Sequence, residues 1–273
     1  GYAVGVHPTV AGDLLVGSQD NGTTLTRSNS ESRILDGDGF HAFFDPSTDG
    51  RLYASAYYGL LYRSDDGGRT MNNIASYFQS SGPNEVGAWQ TPFQLHPSVP
   101  GRIVAAKKSL HFSDDGGESW TTWGGMGTVR SNAMALTALD DQAALVAKNS
   151  LLYWRDGESM SFNVIEGLPE AQIGDVAIDV SDIETWWVCF SEYEPDMQVW
   201  RTNDQGASWQ NVSGGLPQLP VHALVQLDNG QWICGSELGV HIWDESSMAW
   251  SHLGEGLPLT PVVDLALDQA LNR

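Results

Sequence analysis

Residues 110–120 read Leu-His-Phe-Ser-Asp-Asp-Gly-Gly-Glu-Ser-Trp, and this stretch decides the fold. An apolar run of the kind found in β-strands ends at Ser113, turn-forming residues follow, and Trp120 closes the stretch. Asp115 is suited to accept backbone N–H bonds inside the turn, and Gly117 permits a positive φ. Trp120 is large enough to fill the core beneath the turn as the next strand begins. The stretch therefore predicts two antiparallel strands joined by a tight turn.

The same frame, Ser-x-Asp-x-Gly-x-x-Trp, recurs along the chain. The two other clear copies comprise Ser64, Asp66, Gly68 and Met71, and Thr202, Asp204, Gly206 and Trp209. Degenerate copies bring the number of aligned positions to six, at Ser28, Ser64, Ser113, Trp154, Thr202 and Trp243. These positions lie 36 to 49 residues apart. That spacing accommodates four short strands and their turns, as in the blade of a β-propeller.

The repeats predict an all-β fold, a β-propeller of four-stranded blades formed by residues 1–273 as a single domain. The repeat units lie near 1–39, 40–88, 89–131, 132–172, 173–219 and 220–260, with an incomplete unit at 261–273. Six complete units and one further inner strand predict a seven-bladed ring. An open ring exposes sheet edges, so we expect a longer polypeptide, or else another segment, to complete the seventh blade.

Each unit is expected to open with its innermost strand. The inner strands are predicted at Tyr2–Val6, Phe40–Phe44, Thr91–Leu95, Ala133–Leu139, Val176–Val180, Val221–Leu227 and Val262–Leu267. Second strands are predicted at Leu14–Gly17, Leu52–Ala56, Ile103–Ala106, Ala144–Ala147, Trp186–Phe190 and Trp232–Gly235. Several inner strands end before a proline, which cannot donate to a ladder and so ends a strand.

The frame resembles the Asp-box, or bacterial neuraminidase repeat, which lies between the third and fourth strands of propeller blades. The resemblance implies a structural role for Ser64, Asp66, Gly68, Ser113, Asp115, Gly117, Trp120, Asp204, Gly206 and Trp209. The stretches Gly17–Thr23 and Gly37–Gly39, followed by Asp45-Pro46, are similar to secreted bacterial propellers of the sortilin and xyloglucan-hydrolase type. This similarity implies a secreted or cell-surface location in a bacterium. It indicates the fold and not the activity, because hydrolases, receptors and assembly factors all use the repeat.

Composition narrows the classes of partner. The chain carries 34 acidic and 13 basic side chains, a formal net charge of −21. Such a surface repels phosphate backbones and anionic lipids, so we expect no nucleic-acid partner. The sequence contains no apolar run long enough to span a bilayer, so no membrane insertion is expected.

Two cysteines, Cys189 and Cys234, occupy equivalent places in consecutive units. Equivalent strands of neighbouring blades usually lie too far apart for a disulfide. We therefore expect two free, buried thiols, which leaves the redox compartment undecided.

Blade topology sorts the loops into two faces. Links between blades and loops from second to third strands share one face, the top, whereas the Asp-box turns and the first-to-second-strand turns share the bottom. Ligands of propellers usually enter at the top mouth of the channel. The candidate ligand-binding residues are those predicted at the top: Asp20, Asn21, Asp38, Tyr57, Tyr58, Trp89, Lys107, Lys108, Arg130, Lys148 and Glu237.

Two interpretations of these residues remain open. Glycines flank Asp20 and Asp38 and allow a ligand or cation to approach closely, yet Asn-Gly and Asp-Gly are also ordinary turns. Trp89 and the tyrosines suit the C–H faces of a sugar, and they equally suit packing between blades. We predict no metal site and no cofactor, although these loops leave room for a structural cation.

Sialidases of the Asp-box family bind the substrate carboxylate with three arginines at the channel mouth. In this chain only Arg130 is predicted at the top face. Four other arginines are predicted at the ends of third strands, beside the bottom turns: Arg27, Arg63, Arg155 and Arg201. A sialidase is therefore disfavoured.

A glycoside hydrolase needs two carboxylates roughly 5–10 Å apart, for which Asp20, Asp38 and Glu237 are candidates. The xyloglucan hydrolases, however, place their cleft between two propellers. We therefore predict a secreted or surface-exposed, non-catalytic binding or scaffold module. Its ligand is expected at the top of the channel and is a glycan, a peptide or a neighbouring subunit. The alternative is a glycoside hydrolase that uses a carboxylate pair together with a second domain.

Overall fold

The structure, a computed structural model, describes residues 1–28, 30–76, 85–159, 161–254 and 256–268. The chain forms two compact units, Gly1–Ser131 with the segment that begins at Ala266, and Asn132–Leu265. Each unit holds three antiparallel sheets of four strands, and every sheet keeps its strands in chain order. The all-β class and the propeller fold of four-stranded blades are thus confirmed, while the single domain stays a prediction. Within the described ranges, no helix is long and apolar enough to cross a membrane.

The first unit contains blades 1 to 3. Blade 1 comprises β1 (Ala3–Val6), β2 (Leu14–Ser18), β3 (Gly22–Arg27) and β4 (Ser30–Leu35). Blade 2 comprises β5 (Gly39–Phe44), β6 (Leu52–Ala56), β7 (Leu60–Ser64) and β8 (Asn72–Asn73). Blade 3 comprises β9 (Phe93–Leu95), β10 (Ile103–Ala106), β11 (Ser109–Ser113) and β12 (Thr121–Gly125).

The second unit contains blades 4 to 6. Blade 4 comprises β13 (Ala133–Leu136), β14 (Ala144–Lys148), β15 (Leu151–Arg155) and β16 (Phe162–Ile165). Blade 5 comprises β17 (Ile173–Ile178), β18 (Trp186–Phe190), β19 (Val199–Thr202) and β20 (Gln210–Asn211). Blade 6 comprises β21 (Val221–Gln226), β22 (Trp232–Ser236), β23 (Gly239–Asp244) and β24 (Ala249–His252).

Six inner strands occur where the apolar runs predicted them, and the second strands agree to within one residue. The inner strand of blade 5 begins at Ile173, earlier than predicted, because a bulge between Ile173 and Asp175 carries the ladder past a glycine. The predicted seventh inner strand differs: the described part of its unit, 261–268, contains no β-strand. Val262 N–H donates to Ser236 O at 2.9 Å, so the segment after blade 6 is bound to the end of that blade's second strand. The last five residues of this unit lie outside the described residues.

A closed hydrogen-bond pattern builds the turn between the third and fourth strands, here called the Ser–Asp–Gly turn. In blade 3 the Ser113 hydroxyl donates to Asp115 Oδ1 at 2.7 Å and accepts the Gly117 N–H at 2.7 Å. Asp115 also accepts the Ser119 N–H at 2.9 Å. In blades 2 and 5 the equivalent glycine N–H donates to the turn hydroxyl. Gly68 donates to Ser64 at 2.8 Å, and Gly206 donates to Thr202 at 2.9 Å.

The aspartate of this turn acts in its charged form. In blade 2, the N–H and the hydroxyl of Thr70 and the hydroxyl of Ser64 lower the pKa of Asp66 to about 2. Hydrogen bonds to a carboxylate favour ionisation in this way. The turn is therefore held by an ionised side chain at neutral pH.

The end of the turn fastens its blade to the preceding one. Gly117 has φ +95°, and a Cβ there would lie 2.6 Å from Ile74 of blade 2, so only glycine allows this approach. Trp120 is 5% exposed and donates its Nε1–H to Ile74 O at 3.1 Å. The same bond recurs in the second unit, from Trp209 to Glu166 O (3.1 Å) and from Trp250 to Val212 O (2.7 Å).

The arginine before the turn's Ser or Thr reaches the following blade. Arg63 Nη1 donates to Gly116 O at 2.8 Å, and Nη2 donates to Glu118 Oε1 at 2.8 Å. In the second unit, Arg201 Nη1 donates to Glu245 of blade 6 at 2.8 Å. The bottom arginines of these blades therefore join neighbouring blades.

Both cysteines are free and buried, as predicted. Cys189 and Cys234 belong to the same apolar cluster of blades 5 and 6. Burial, and then the nearby Asp175 carboxylate, raise the pKa of the Cys189 thiol well above its ordinary value. Both thiols therefore act as small apolar core residues at neutral pH.

We predict unequal costs for two substitutions in the turn of blade 3. Asp115→Ala removes an acceptor of turn amides and should lower the free energy of unfolding by about 1–2 kcal/mol. Trp120→Ala removes a core side chain and an inter-blade bond and should cost about 3–5 kcal/mol. Urea unfolding followed by circular dichroism measures both. A cost for Trp120→Ala no larger than that for Asp115→Ala would contradict this account of the turn.

Candidate functional site

Tyr57, Tyr58 and Trp89 form an exposed group in the first unit, here called the top aromatic cluster. Their exposed fractions are 39%, 44% and 42%. The Trp89 ring stacks on Tyr57 with centroids 5.9 Å apart and meets Tyr58 edge-on at 5.2 Å. The Arg130 guanidinium lies 6.0 Å from the Tyr58 ring centroid, at the outer limit of a cation–π contact. Exposed apolar patches of this kind mark interaction sites on proteins.

A strained turn presents the cluster. Tyr57–Gly59 form a single 3-10 turn between β6 and β7, and Tyr58 adopts φ +60°. An aromatic residue in this left-handed region costs roughly 1–3 kcal/mol. Main-chain bonds hold it there: Tyr58 N–H donates to Trp89 O at 3.3 Å, and Gly87 N–H donates to Tyr58 O at 3.0 Å. The loop of blade 2 and the link to blade 3 are thus bound to each other.

Buried polar groups fix the start of that link. The Glu85 carboxylate, 14% exposed, accepts the Ser109 N–H at 3.0 Å and the Ser109 hydroxyl at 2.7 Å. His111 Nε2 lies 3.2 Å from the same carboxylate, and Lys107 Nζ donates to the Glu85 main-chain oxygen at 3.3 Å. These contacts anchor Glu85 to blade 3, four residues before Trp89.

Burial and hydrogen bonding shift the pKa values of this group in different directions. Desolvation raises the pKa of Glu85, but the bonds from Ser109 and His111 outweigh it and leave that pKa lowered. Burial lowers the pKa of Lys107 to about 8, against the attraction of Glu85. Burial also lowers the pKa of His111, again opposed by Glu85. Glu85 is therefore ionised at neutral pH and accepts the hydrogen bonds of this network as a carboxylate.

The two glycine-flanked loops of blade 1 are joined by a hydrogen bond between them. Asp20, with φ +59°, donates its N–H to Asp38 Oδ1 at 2.8 Å. Asn21 Nδ2 donates to Gln19 O at 3.1 Å. A Cβ on Gly37 would lie 3.7 Å from the Tyr57 ring, so the loop of Asp38 also touches the aromatic cluster. These contacts support the turn interpretation of Asp38 and place its neighbour Gly37 close to Tyr57.

Two predicted ligand-binding lysines do not present their charge at the surface. Lys107 is 2% exposed and Lys148 is 1% exposed. The ammonium of Lys107 is bound to the Glu85 main chain, and that of Lys148 lies 5.8 Å from the Tyr153 ring centroid. The burial of the whole side chains does not fit the prediction that Lys107 and Lys148 bind a ligand at the channel mouth.

The other predicted residues fall in both units. Lys108 is half-buried in the first unit beside β11, and its main-chain oxygen accepts the Met126 N–H at 3.3 Å. In the second unit, Glu237 Oε1 lies 2.9 Å from His222 Nε2. The first unit thus brings together Tyr57, Tyr58, Trp89, Arg130 and the loop of Asp38.

Two acidic residues of interest were missed by sequence reasoning. Glu85 carries no sequence signal, because a glutamate in a polar link looks the same whether it is buried or exposed. Asp175 has a pKa that burial raises to about 7. Its two oxygens accept the Val176 N–H at 2.8 Å and the Leu224 N–H at 3.0 Å, which joins blades 5 and 6. Across the described residues, no group of three or more His, Cys, Asp or Glu side chains is arranged to hold a metal ion.

Comparisons with known proteins identify the fold. No protein-family model and no curated protein sequence matches the chain. Among solved structures, the GH74 xyloglucanase of Xanthomonas campestris has a TM-score of 0.67 and 16% identity over 91% of this chain. The WD40 β-propeller domain of Doa1 has a TM-score of 0.71 and 12% identity, covering 98% of this chain and 86% of that one. YCF48 bound to D1 peptide has a TM-score of 0.63 and 9% identity, covering 91% and 80%.

Similarity at these identities shows the β-propeller fold alone. The chain spans 46% of the xyloglucanase, so about half of that enzyme has no counterpart in it. The same fold serves an enzyme in one neighbour and a peptide complex in another. Function must therefore be argued from the site.

We predict that Glu85→Gln loosens the link that carries Trp89. Glutamine offers one oxygen where the carboxylate offers two, so one Ser109 donor loses its acceptor, at a cost of about 1–3 kcal/mol. Amide hydrogen exchange should accelerate at Gly87 and Ser109. Because the pKa of Glu85 is lowered, its stabilisation is present above the ordinary value of 4.5 and is lost as the pH falls below it.

The stability difference between wild type and Glu85→Gln should accordingly be largest at neutral pH and shrink in acid. Val86→Ala, at an exposed neighbouring position, is the matched control. A difference that does not depend on pH would contradict the role assigned to the carboxylate.

Proposed function

We propose that this chain is a non-catalytic binding module that holds a segment of another protein on the top aromatic cluster. The joint exposure of Tyr57, Tyr58 and Trp89 in one packed group carries the proposal. Trp, Tyr and Arg are enriched among the residues that dominate binding energy at protein interfaces, and Arg130 stands at the edge of the cluster.

Hydrogen bonds within the chain preorganise the cluster for binding. Main-chain bonds between Tyr58 and the Gly87–Trp89 segment fix the rings, and the buried Glu85 carboxylate fixes the link below them. Aromatic side chains held in this way lose little conformational entropy when a partner docks. A rigid apolar surface with a cationic edge suits a peptide segment, which offers apolar side chains and carbonyl acceptors together.

The structural neighbours support a protein ligand by analogy of fold. YCF48 is described in complex with a D1 peptide, so a propeller of similar architecture does take a peptide. A glycan or a neighbouring subunit is the other occupant that the exposed rings suit. We choose the peptide because the Arg130 guanidinium beside the exposed rings can donate to peptide carbonyl groups while the rings contact apolar side chains.

A glycoside hydrolase is the alternative, and the contacts of its candidate acids disfavour it. Asp38 accepts the Asp20 N–H with one oxygen, and Glu237 Oε1 lies 2.9 Å from His222 Nε2. Asp20 and Asp38 belong to the first unit and Glu237 to the second. Two of the three candidate carboxylates therefore already have partners within the chain, whereas a general acid needs its proton for the leaving group.

We further propose that the chain is an Asp-box propeller of the sortilin and xyloglucan-hydrolase type, secreted or exposed at a cell surface. The repeated Ser–Asp–Gly turns of blades 2, 3 and 5 support this assignment. We also propose that a further segment or a longer polypeptide supplies the rest of a seventh blade after blade 6.

The proposal predicts that peptides selected on the wild-type chain depend on the aromatic cluster. Peptides would be selected from a random library displayed on phage, and their affinities measured by calorimetry. The double variant Tyr57→Ala with Trp89→Ala should bind them at least about tenfold more weakly, because truncating central aromatic anchors costs more than about 1 kcal/mol each.

Tyr193→Ala is the matched control, since Tyr193 is 69% exposed but belongs to the second unit. Its affinity for the selected peptides should equal that of the wild type. Peptides that bind the double variant as tightly as the wild type would overturn the assignment of the site. Binding confined to sugars on a glycan array run in parallel would overturn the choice of a peptide.

A further inference from the structure

The rings of the top aromatic cluster are arranged compactly and face a partner at two orientations. The centroids of Tyr57, Tyr58 and Trp89 form a triangle with sides of 5.9, 5.9 and 5.2 Å. The Trp89 ring lies at 16° to the ring of Tyr57, and Tyr58 stands at 78° to both. All three residues are exposed, so a docked chain contacts the rings directly.

The polar side-chain groups of the cluster make no hydrogen bond to any residue that the structure describes. These groups are the hydroxyls of Tyr57 and Tyr58, the indole N–H of Trp89 and the guanidinium of Arg130. In three bottom turns, by contrast, a tryptophan donates its N–H to the main chain of the preceding blade. Trp and Arg side chains only donate, and a tyrosine hydroxyl donates as well as accepts. A partner that covers the cluster must therefore supply acceptors.

The main chain of the cluster is already paired, which excludes one mode of peptide binding. Tyr58 bonds through its N–H to Trp89 O and through its oxygen to the Gly87 N–H. Tyr57 O accepts the Leu60 N–H, and Tyr58 has φ +60°, outside the extended region. A partner that adds a β-strand needs an extended edge with free N–H and C=O groups. This turn offers no such edge.

The remaining choice is between a helix and an extended segment without internal hydrogen bonds. An α-helix bonds its carbonyls internally, except in the last turn, so it leaves the donors of the cluster unmatched. A polyproline II segment has no internal hydrogen bonds, and all of its carbonyls are available as acceptors. Proline also lacks an N–H, so a proline-rich segment brings many acceptors and few donors. One turn of polyproline II is about 9 Å long, which suits a ring triangle of this size.

We propose that the ligand of the top aromatic cluster is a proline-rich segment in the polyproline II conformation. Its proline rings pack against the three aromatic faces, and its carbonyls accept from the tyrosine hydroxyls, the indole N–H and Arg130. Aromatic surfaces recognise proline-rich segments in this way because the ligand is extended and stiff before it binds. This inference rests on the proposed function and names the class of peptide that the cluster takes.

The test compares two synthetic peptides of equal length on the wild-type chain by calorimetry. One consists of three Pro-Pro-Leu triplets capped at both ends, and in the other alanine replaces every proline. We expect saturable binding of the proline peptide and binding at least about tenfold weaker for the alanine peptide. The alanine peptide keeps the leucines, so the comparison isolates the contribution of proline.

A second comparison removes the donors but keeps the rings. The double variant Tyr57→Phe with Tyr58→Phe should bind the proline peptide at least about fivefold more weakly than the wild type, because two hydroxyls lose their acceptors. The variant should melt at the temperature of the wild type, since neither hydroxyl has a partner among the described residues. Tyr193→Phe, at an exposed position of the second unit, is the matched control and should bind like the wild type.

The outcomes separate this inference from the proposed function. Equal binding of the two peptides, or undiminished binding by the double phenylalanine variant, would overturn the proline-rich ligand. So would a proline peptide that fails to bind while phage-selected peptides depend on the cluster, and the proposed function would then stand. Selected peptides that ignore the Tyr57→Ala with Trp89→Ala variant would overturn the proposed function, and this inference with it.

Discussion

The structure depends on the contact between neighbouring blades at their bottom turns. A single four-stranded sheet cannot bury both of its faces, so each blade needs its neighbours for stability. The Ser–Asp–Gly turn supplies the connection in two directions. Trp120 donates to the main chain of blade 2, while Arg63 of blade 2 donates to Gly116 of blade 3. The second unit repeats both contacts with Trp250 and Arg201. The turn motif therefore joins neighbouring blades by hydrogen bonds, in addition to connecting the third and fourth strands of its own blade.

This fastening leaves the opposite ends of the blades free to vary. At the top of the first unit, the chain holds Tyr58 in a strained conformation and exposes three aromatic rings, which packing alone does not require. Buried Glu85 makes that arrangement rigid. The side chains that make the inter-blade contacts also differ from blade to blade. Blade 5 has Thr185 and Asn203 where blade 2 has an arginine and an aspartate, and a cavity lies beside Thr185. The aromatic cluster and this cavity are both departures from the repeat, whereas the repeated inter-blade contacts stabilise the fold.

The sequence sufficed for the fold because strand, turn and tryptophan recur at a fixed spacing. It placed six inner strands and six second strands, since apolar runs and prolines define their ends. It failed where burial depends on distant residues. Lys107 and Lys148 looked like surface charges, but their neighbours enclose them. Glu85 gave no signal at all, because its partner Ser109 lies 24 residues further along. The inter-blade role of Arg63 was also invisible, since its acceptor, Gly116, is 53 residues away.

The most direct test of this account measures what Arg63 contributes to stability. Arg63→Met keeps the apolar stem but removes the donors to buried Gly116 O and to Asp65. Arg33→Met is the control, because Arg33 pairs with Asp36 on an exposed surface of blade 1. Urea unfolding should show a loss of about 1–3 kcal/mol for Arg63→Met. It should show no more than about 0.5 kcal/mol for Arg33→Met. Equal losses in the two variants would contradict the claim that the bottom arginines fasten the blades together.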